Sequence, residues 1–255
     1  MKNGPFGEDI GKYKVLLDSV SSTQWFALEL LRTATPPHGT MISCIEQTQG
    51  KGRHDKKWES EKNQNVAVSF ILKDFDPASP ITAGQLSMIA SLAACRTIQA
   101  SLDDQVYIKW PNDIISRSKK VSGILITNQW RGIQMESSVI GIGINVNQVQ
   151  FTDLSQAGSI RSLSGHDSEV PLVLQTLVTQ LNYWYNKLNS DTVDIIDSYL
   201  GDLYGYRTFI QVNDRLDHVT LDAQIIGVEQ DGKIRLEFKN GSNRLYDLDE
   251  LKIIF

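Results

Sequence analysis

The chain has 255 residues, 41% of them hydrophobic and 22% charged, with a formal net charge of −5; that length allows one large domain, or one large and one small. The negative balance and a pI near 5.4 exclude a general nucleic-acid binder, because neutralising phosphates requires a positive surface. No apolar run approaches the roughly 20 residues that cross a bilayer, and the opening MKNGPFGEDIGKYK lacks the apolar core of a secretion signal, so a cytoplasmic chain with no membrane partner is expected. Cys44 and Cys95 are far apart, without CxxC spacing, and read as buried thiols. The histidines at 38, 54, 166 and 218 have no metal-ligand spacing, so no protein-bound structural metal is expected.

Residues 1–12, rich in Gly, Pro and charge, read as a loose arm, and the apolar run 13–17 as a strand. Ser21-Ser22-Thr23-Gln24 then precedes the helical pattern 25–32. A Ser/Thr cluster ahead of an apolar-periodic run is a helix-cap signal, and hydroxyls at the positive end of a helix can equally bond a ligand. The stretch 41–47 predicts a buried strand that delivers Gln47 into Gly50-Lys51-Gly52-Arg53-His54-Asp55-Lys56-Lys57-Trp58, where four cations accompany one acid. Gly50 and Gly52 permit backbone conformations closed to other residues and let amide N–H groups come close to a ligand. The cations suit phosphate or carboxylate oxygens, and Trp58 offers a flat apolar face. A solvated basic turn is the plainer reading.

A second strand is predicted over 65–72, and a core helix from Pro80, with Leu86, Ile89, Ala90, Ala93 and Ile98 on one face. The strand entering Lys109-Trp110-Pro111-Asn112-Asp113 and the strand over 121–126 read as a hairpin, with Lys109, Asn112, Asp113 and Lys120 near its ends. Asn112 and Asp113 can simply build the turn, and Lys120 can be a solvated tip residue. In the strand over 138–147, Gly141 and Gly143 ahead of Asn145 suggest the floor of a pocket or else tight packing against a neighbouring Trp. Residues 151–170 read as a surface segment, followed by a helix from Pro171 and a short helix bearing Val193, Ile196 and Leu200. From about residue 205, four short alternating strands (208–212, 221–228, 234–238, 244–248) with Asp-Gly and Asn-Gly turns predict a small barrel-like module.

Taken together, these stretches resemble the biotin–protein ligases, in order and over most of the chain. Gly50-Lys51-Gly52-Arg53 with Trp58 resembles the family's GRGRxxxxW loop, with Lys51 for the usual Arg and hence without its bidentate fork. Lys109 to Asp113 is KWPND intact, Lys120-Val121-Ser122-Gly123-Ile124-Leu125 resembles KxxGIL, and Gly141 to Val146 is GIGINV intact. Gln24 stands where Asn commonly follows Ser-Thr. The resemblance implies an α+β fold: a mixed β-sheet catalytic domain with packed helices (class II aminoacyl-tRNA synthetase-like, the biotin–lipoate ligase fold) over 1–204, and a C-terminal SH3-like β-barrel over 205–255. No helix-turn-helix precedes Ser22, so the monofunctional type is expected, without DNA binding.

The activity so implied joins biotin to ATP as biotinyl-5′-AMP, expels pyrophosphate, and transfers the biotinyl group to a lysine of a biotin carboxyl carrier protein. Lys120 and Arg53 would be catalytic, Lys120 at the carboxyl/phosphate junction and Arg53 bridging phosphate as the loop closes. Removal of a donor such as Lys120 typically costs on the order of 3 kcal/mol of transition-state stabilisation. Biotin would be held by Ser22, Thr23, Gln24, Gln47, Gly50, Lys51, Gly52, Arg53, Lys120 and Gly123, and ATP by Arg53, Lys56, Lys57, Trp58, Lys109, Asn112 and Asn145. Asp113 would help hold Mg²⁺ with the ATP. Residues 50–58 are expected to be mobile until ligand orders them. A lipoate ligase of the same fold and a non-catalytic biotin-binding module are the rival readings, and edge strands of the large sheet leave a homodimer open.

Overall fold

The computed structural model describes residues 10–76, 80–152, 155–188 and 192–255. In chain order it runs β1 (Lys14–Val20), α1 (Thr23–Thr33), β2 (Thr40–Gln47), β3 (Gly50–Lys51), a 3₁₀ turn (Arg53–Asp55), β4 (Lys57–Trp58), β5 (Asn65–Lys73) and α2 (Ala83–Gln99). There follow β6 (Tyr107–Lys109), β7 (Asp113–Ser116), β8 (Lys119–Arg131), β9 (Gln134–Asn145), α3 (Ile160–Ser164), α4 (Val170–Lys187) and α5 (Thr192–Gly201). The chain closes with β10 (Ile210–Asp214), β11 (Val219–Val228), β12 (Ile234–Phe238), β13 (Asn243–Tyr246) and β14 (Leu251–Ile253).

A seven-stranded sheet, ordered β1-β2-β5-β9-β8-β7-β6, is the frame. Only β1 and β2 run parallel, and the remaining pairs are antiparallel. Side chains of a strand alternate between faces, and β5 and β9 use the two faces differently. Val66, Val68, Phe70 and Leu72 of β5, with Ile140, Ile142 and Ile144 of β9, enter the main core, where α2 and α4 cover them. Ile71 and Val139 point the other way, into a small second core with Ala27 of α1 and Ile42 of β2. Along that same second face, register sets Ala67 opposite Gly143 and Ser69 opposite Gly141, while Gly123 and Leu125 of β8 face Gly143 and Gly141. The sheet beside α1 is therefore paved mostly with small residues, Leu125 being the large one among those named.

The second sheet, ordered β13-β12-β11-β10-β14, is antiparallel throughout, as the barrel-like module requires. It docks on the first through α2 and the Trp110 turn. Trp110 Nε1 donates to Gly232 O at 3.0 Å, Thr82 Oγ1 donates to Gln230 O at 2.6 Å, and Gly84 packs directly on the 230–232 backbone.

Several expectations need correction. The helix expected from Pro80 begins at Ala83, because Thr82 and Gln85 form a reciprocal capping box there. The expected hairpin around 109–121 is three strands, since Asp113–Ser116 pairs on both sides. The segment 151–170 is not merely surface: Ser159 and Ile160 are fully buried, and Lys120 exchanges backbone bonds with Gln156 and Gly158. Of the expected loose arm, residues 1–9 lie outside the described residues, and Ile10 is buried with both its backbone groups held by Asn182. The C-terminal sheet also has a fifth strand, β14, only three residues long.

A Cβ at Gly84 would lie 2.2 Å from the Asp231 carbonyl carbon, and backbone cannot yield as a flexible side chain does. Gly84→Ala is therefore expected to destabilise the chain by about 1–3 kcal/mol through overpacking. The check is urea unfolding, in which the midpoint falls while the slope stays unchanged.

Candidate active site

The small-residue face of the sheet forms the floor of a cavity of about 800 Å³, walled by α1, the 50–58 loop, the 109–113 turn, residues 151–152 and 155–157, and the C-terminal sheet. Gln24 and Trp58 lie on this floor. A Cβ on Gly141 would meet Gln24 Oε1 at 2.5 Å, and one on Gly143 would meet Trp58 Cε2 at 2.5 Å. Both sequence readings of these glycines hold at once: they line a pocket, and Gly143 carries a tryptophan ring.

At the α1 end the wall is polar and closed. Ser22 caps the helix, its Oγ accepting from Trp25 N at 3.5 Å, while Gln47 Oε1 accepts from Thr23 N at 2.9 Å and from Thr23 Oγ1 at 3.2 Å. Ser69 Oγ donates to Thr23 Oγ1 at 2.9 Å, and Gln24 Nε2 donates to Val139 O at 3.0 Å and Thr127 Oγ1 at 3.1 Å. Ser22, Thr23, Gln24 and Ser69 are all buried. Such a network fixes donors and acceptors in place, which suits recognition of a small polar group. Ser69 and Thr127 were not singled out from sequence; a polar residue facing inward within an apolar strand was the available signal.

The opposite end is cationic. Lys120 Nζ lies 2.5 Å from Asp113 Oδ1 and 5.9 Å from the centre of the Trp58 ring. Lys109 Nζ sits 3.8 Å above the Phe255 ring. Burial pushes the Lys109 ammonium down to about 8 from its usual 10.5; Asp113 opposes this shift, and Lys120, Lys252 and Lys56 reinforce it. Arg53, Lys56 and Lys57 complete this side, with Arg215 and Lys252 added by the C-terminal sheet. Those last two went unnoticed in the sequence because nothing local ties a barrel residue to a distant loop.

Other expected residues take structural duties. Asn112 Nδ2 donates to Ile124 O at 2.8 Å, and Asn145 Nδ2 donates to Gly158 O at 2.9 Å. Among the described residues, Asn145 Oδ1 and Trp58 Nε1 are buried at this cavity without a hydrogen-bond partner. Lys51 is exposed, its Nζ 5.3 Å from the centre of the Trp25 ring. Neither glycine of the loop uses the left-handed freedom open to it. Gly50 is needed for space, since a Cβ would meet Trp58 O at 2.4 Å. Gly52 is extended (φ −107°, ψ −168°), and His54 is the left-handed residue of the loop, at φ +53°.

Comparison with known proteins agrees with this geometry. Residues 16–145 match the Biotin/lipoate A/B protein ligase family. A Bacillus spizizenii relative, "Bifunctional ligase/repressor BirA", is 30% identical over 246 residues, covering 95% of this chain and 74% of its own. The chain belongs to the biotin/lipoate A/B protein ligase family. Another relative, the "Biotin--[acetyl-CoA-carboxylase] ligase" of Paracoccus denitrificans, is 27% identical over 58% of this chain and 64% of its own. Among solved structures, Aquifex aeolicus biotin protein ligase in complex with biotin and ATP superposes with a TM-score of 0.77 at 22% identity, covering 95% of this chain and 99% of its own. The family's fold thus extends past the matched stretch, through the C-terminal sheet.

The depressed Lys109 ammonium has a consequence for stability. Between about pH 8 and 10.5 the unfolded chain holds a proton that the folded chain has lost, so stability falls as pH drops through that window. Lys109→Met should therefore be more stable than the parent at pH 7, with the difference vanishing by about pH 10.5. Urea unfolding across that range checks it; a pH-independent difference would place Lys109 in a water-like environment.

Proposed function

We infer that this ligase-family chain activates biotin with ATP as biotinyl-5′-AMP and transfers the biotinyl group to a lysine of a biotin carboxyl carrier domain. What carries the reading is convergence: a polar network of buried Ser22, Thr23 and Gln24 with half-buried Gln47 and a cationic cluster from Arg53, Lys109 and Lys120 share one cavity, though distant in sequence. A small acid with a polar head and an acyl-phosphate tail fits that polarity.

In the first step a biotin carboxylate oxygen attacks the α-phosphorus of ATP, and pyrophosphate leaves. Lys120 would exchange Asp113 for the developing charge where carboxyl meets phosphate, and Arg53 would bridge the phosphate. Ser22, Thr23 and Gln47 would orient the ureido end; Lys56, Lys57 and Lys109 would hold the triphosphate. The unpartnered Trp58 Nε1 and Asn145 Oδ1 suit the polar edge of adenine. In the second step a neutral lysine amine attacks the acyl carbon, and AMP departs. Loop 50–58 with Trp58 would exclude water, which otherwise hydrolyses the mixed anhydride.

Among the described residues no group of three or more His, Cys, Asp or Glu gathers to hold a metal. Asp113, a carboxylate at the cationic end of the cavity, would be the residue to help hold a Mg²⁺ brought in with ATP. Bound there, it would screen the charge of the leaving pyrophosphate. The two free cysteines, Cys44 and Cys95, suit a cytoplasmic setting, and no described helix is long and apolar enough to cross a membrane. We read residues 1–204 as the catalytic unit and 205–255 as an SH3-like unit. The outer strand β1 offers an edge through which a second copy could pair.

Pyrophosphate release that requires both biotin and ATP tests the reading directly. Lipoate in place of biotin should neither support release nor raise the melting temperature; a preference for lipoate would select the rival ligase. Lys120→Ala should lower adenylate formation by roughly 100-fold or more, and should weaken, without abolishing, biotin protection in a thermal shift. Biotin binding without any pyrophosphate release would mark a binding module instead.

A further inference from the structure

One carboxylate of the C-terminal sheet reaches the 50–58 loop. Asp249 lies in the turn 247–250 between β13 and β14, and its Oδ1 accepts from Arg53 Nη2 at 2.8 Å while lying 3.0 Å from His54 Nε2. The turn is firmly built. Asp247 N donates to Glu250 Oε2 at 2.8 Å, Leu248 N to Asp247 Oδ1 at 2.7 Å, and Glu250 N to Asp247 O at 3.1 Å. Arg215 braces it from β10's end, its Nη1 donating to Asp249 O at 3.3 Å and its backbone N to Glu250 O at 2.9 Å.

On the loop side, His54 holds φ +53° and ψ +44°, a conformation disfavoured for a residue with a Cβ and maintained only where surroundings enforce it. Asp249 is the partner found on both neighbours in that turn, Arg53 and His54. A guanidinium has five N–H donors, and only Nη2 holds Asp249. Arg53 can thus keep this partner while bonding a second anion. Arg53 is 25% exposed and Asp249 60% exposed, so the tie stands at the cavity mouth, open to solvent and to screening by salt.

We propose that Asp249 is a positioning residue: from the C-terminal sheet it holds Arg53 and His54 so that the loop stays closed over the cavity, and its loss lets the acyl-adenylate escape. The proposal takes its ligand from the ligase reading above; the tie itself does not depend on it. An exposed pair has a modest effect, so the expected change is about two- to five-fold rather than loss of activity.

Asp249→Asn, compared with the parent, Arg53→Gly and the double variant as full chains, supplies the test. The loop carries Lys51, Arg53, Lys56 and Lys57, all trypsin sites. Without ligand, Asp249→Asn should be nicked there several-fold faster at low salt, with the gap closing at about 0.5 M NaCl and the melting temperature unchanged. After loading with biotin and ATP, it should release adenylate about two- to five-fold faster, and adding it to Arg53→Gly should bring less acceleration than it brings to the parent, since only the His54 contact is then left to lose. Equal nicking, or release that is unchanged or slower, overturns the proposal; slower release would mean that Asp249 competes with phosphate for Arg53. If the parent makes no adenylate, the ligase reading fails while the nicking comparison still judges the tie.

Discussion

Alternation along three neighbouring strands is the constraint on which the site depends. On one face β5, β8 and β9 present Val, Phe, Leu and Ile to a core closed by α2 and α4. On the other, the same strands present Ala67, Ser69, Gly123, Gly141 and Gly143 in matched register. Large residues there would fill the cavity with the protein's own atoms. Glycine within a strand weakens it, but here the strands are held by nine paired positions between β5 and β9 and by the core beneath. The floor can therefore be bare because the underside is not.

Electrostatics then divides the cavity. A chain with net charge −5 concentrates Arg53, Lys56, Lys57, Lys109, Lys120, Arg215 and Lys252 around one space. Cations so close together repel, and the fold manages this locally. Asp113 neutralises Lys120, Asp249 neutralises Arg53, and Lys109 is covered by an aromatic ring. Burial without a full counter-charge is why the Lys109 ammonium titrates near 8. A polyanionic ligand supplies the missing charge and would relieve that repulsion.

Much of this was legible in the sequence because it is written in short contiguous segments. Ser22-Thr23, the 50–58 loop, Lys109 to Asp113, Lys120 and the strand bearing Gly141, Gly143 and Asn145 are local motifs, and each contributes residues to the same cavity. What escaped notice is set by tertiary pairing. Segment 155–160 has no alternation and no helical period, yet its backbone pairs with Lys120. Ser69 and Thr127 look like ordinary strand residues until register sets them beside Gln24. Asp249 and Arg215 acquire meaning only once the C-terminal sheet is docked. The capping box that delays α2 to Ala83 was visible as Thr82 and Gln85, but the proline two residues earlier was the louder local signal.

The pleat that separates core from floor also restricts how this site can change. Inserting or deleting one residue within β9 would send isoleucines into the cavity and glycines into the oily interior, since a one-residue slip exchanges the faces of a strand. Variation in ligand preference must therefore arise by replacing side chains in place, or by lengthening the connections at the rim. The central strands have a fixed word length, and divergence of the pocket has to be spelled within it.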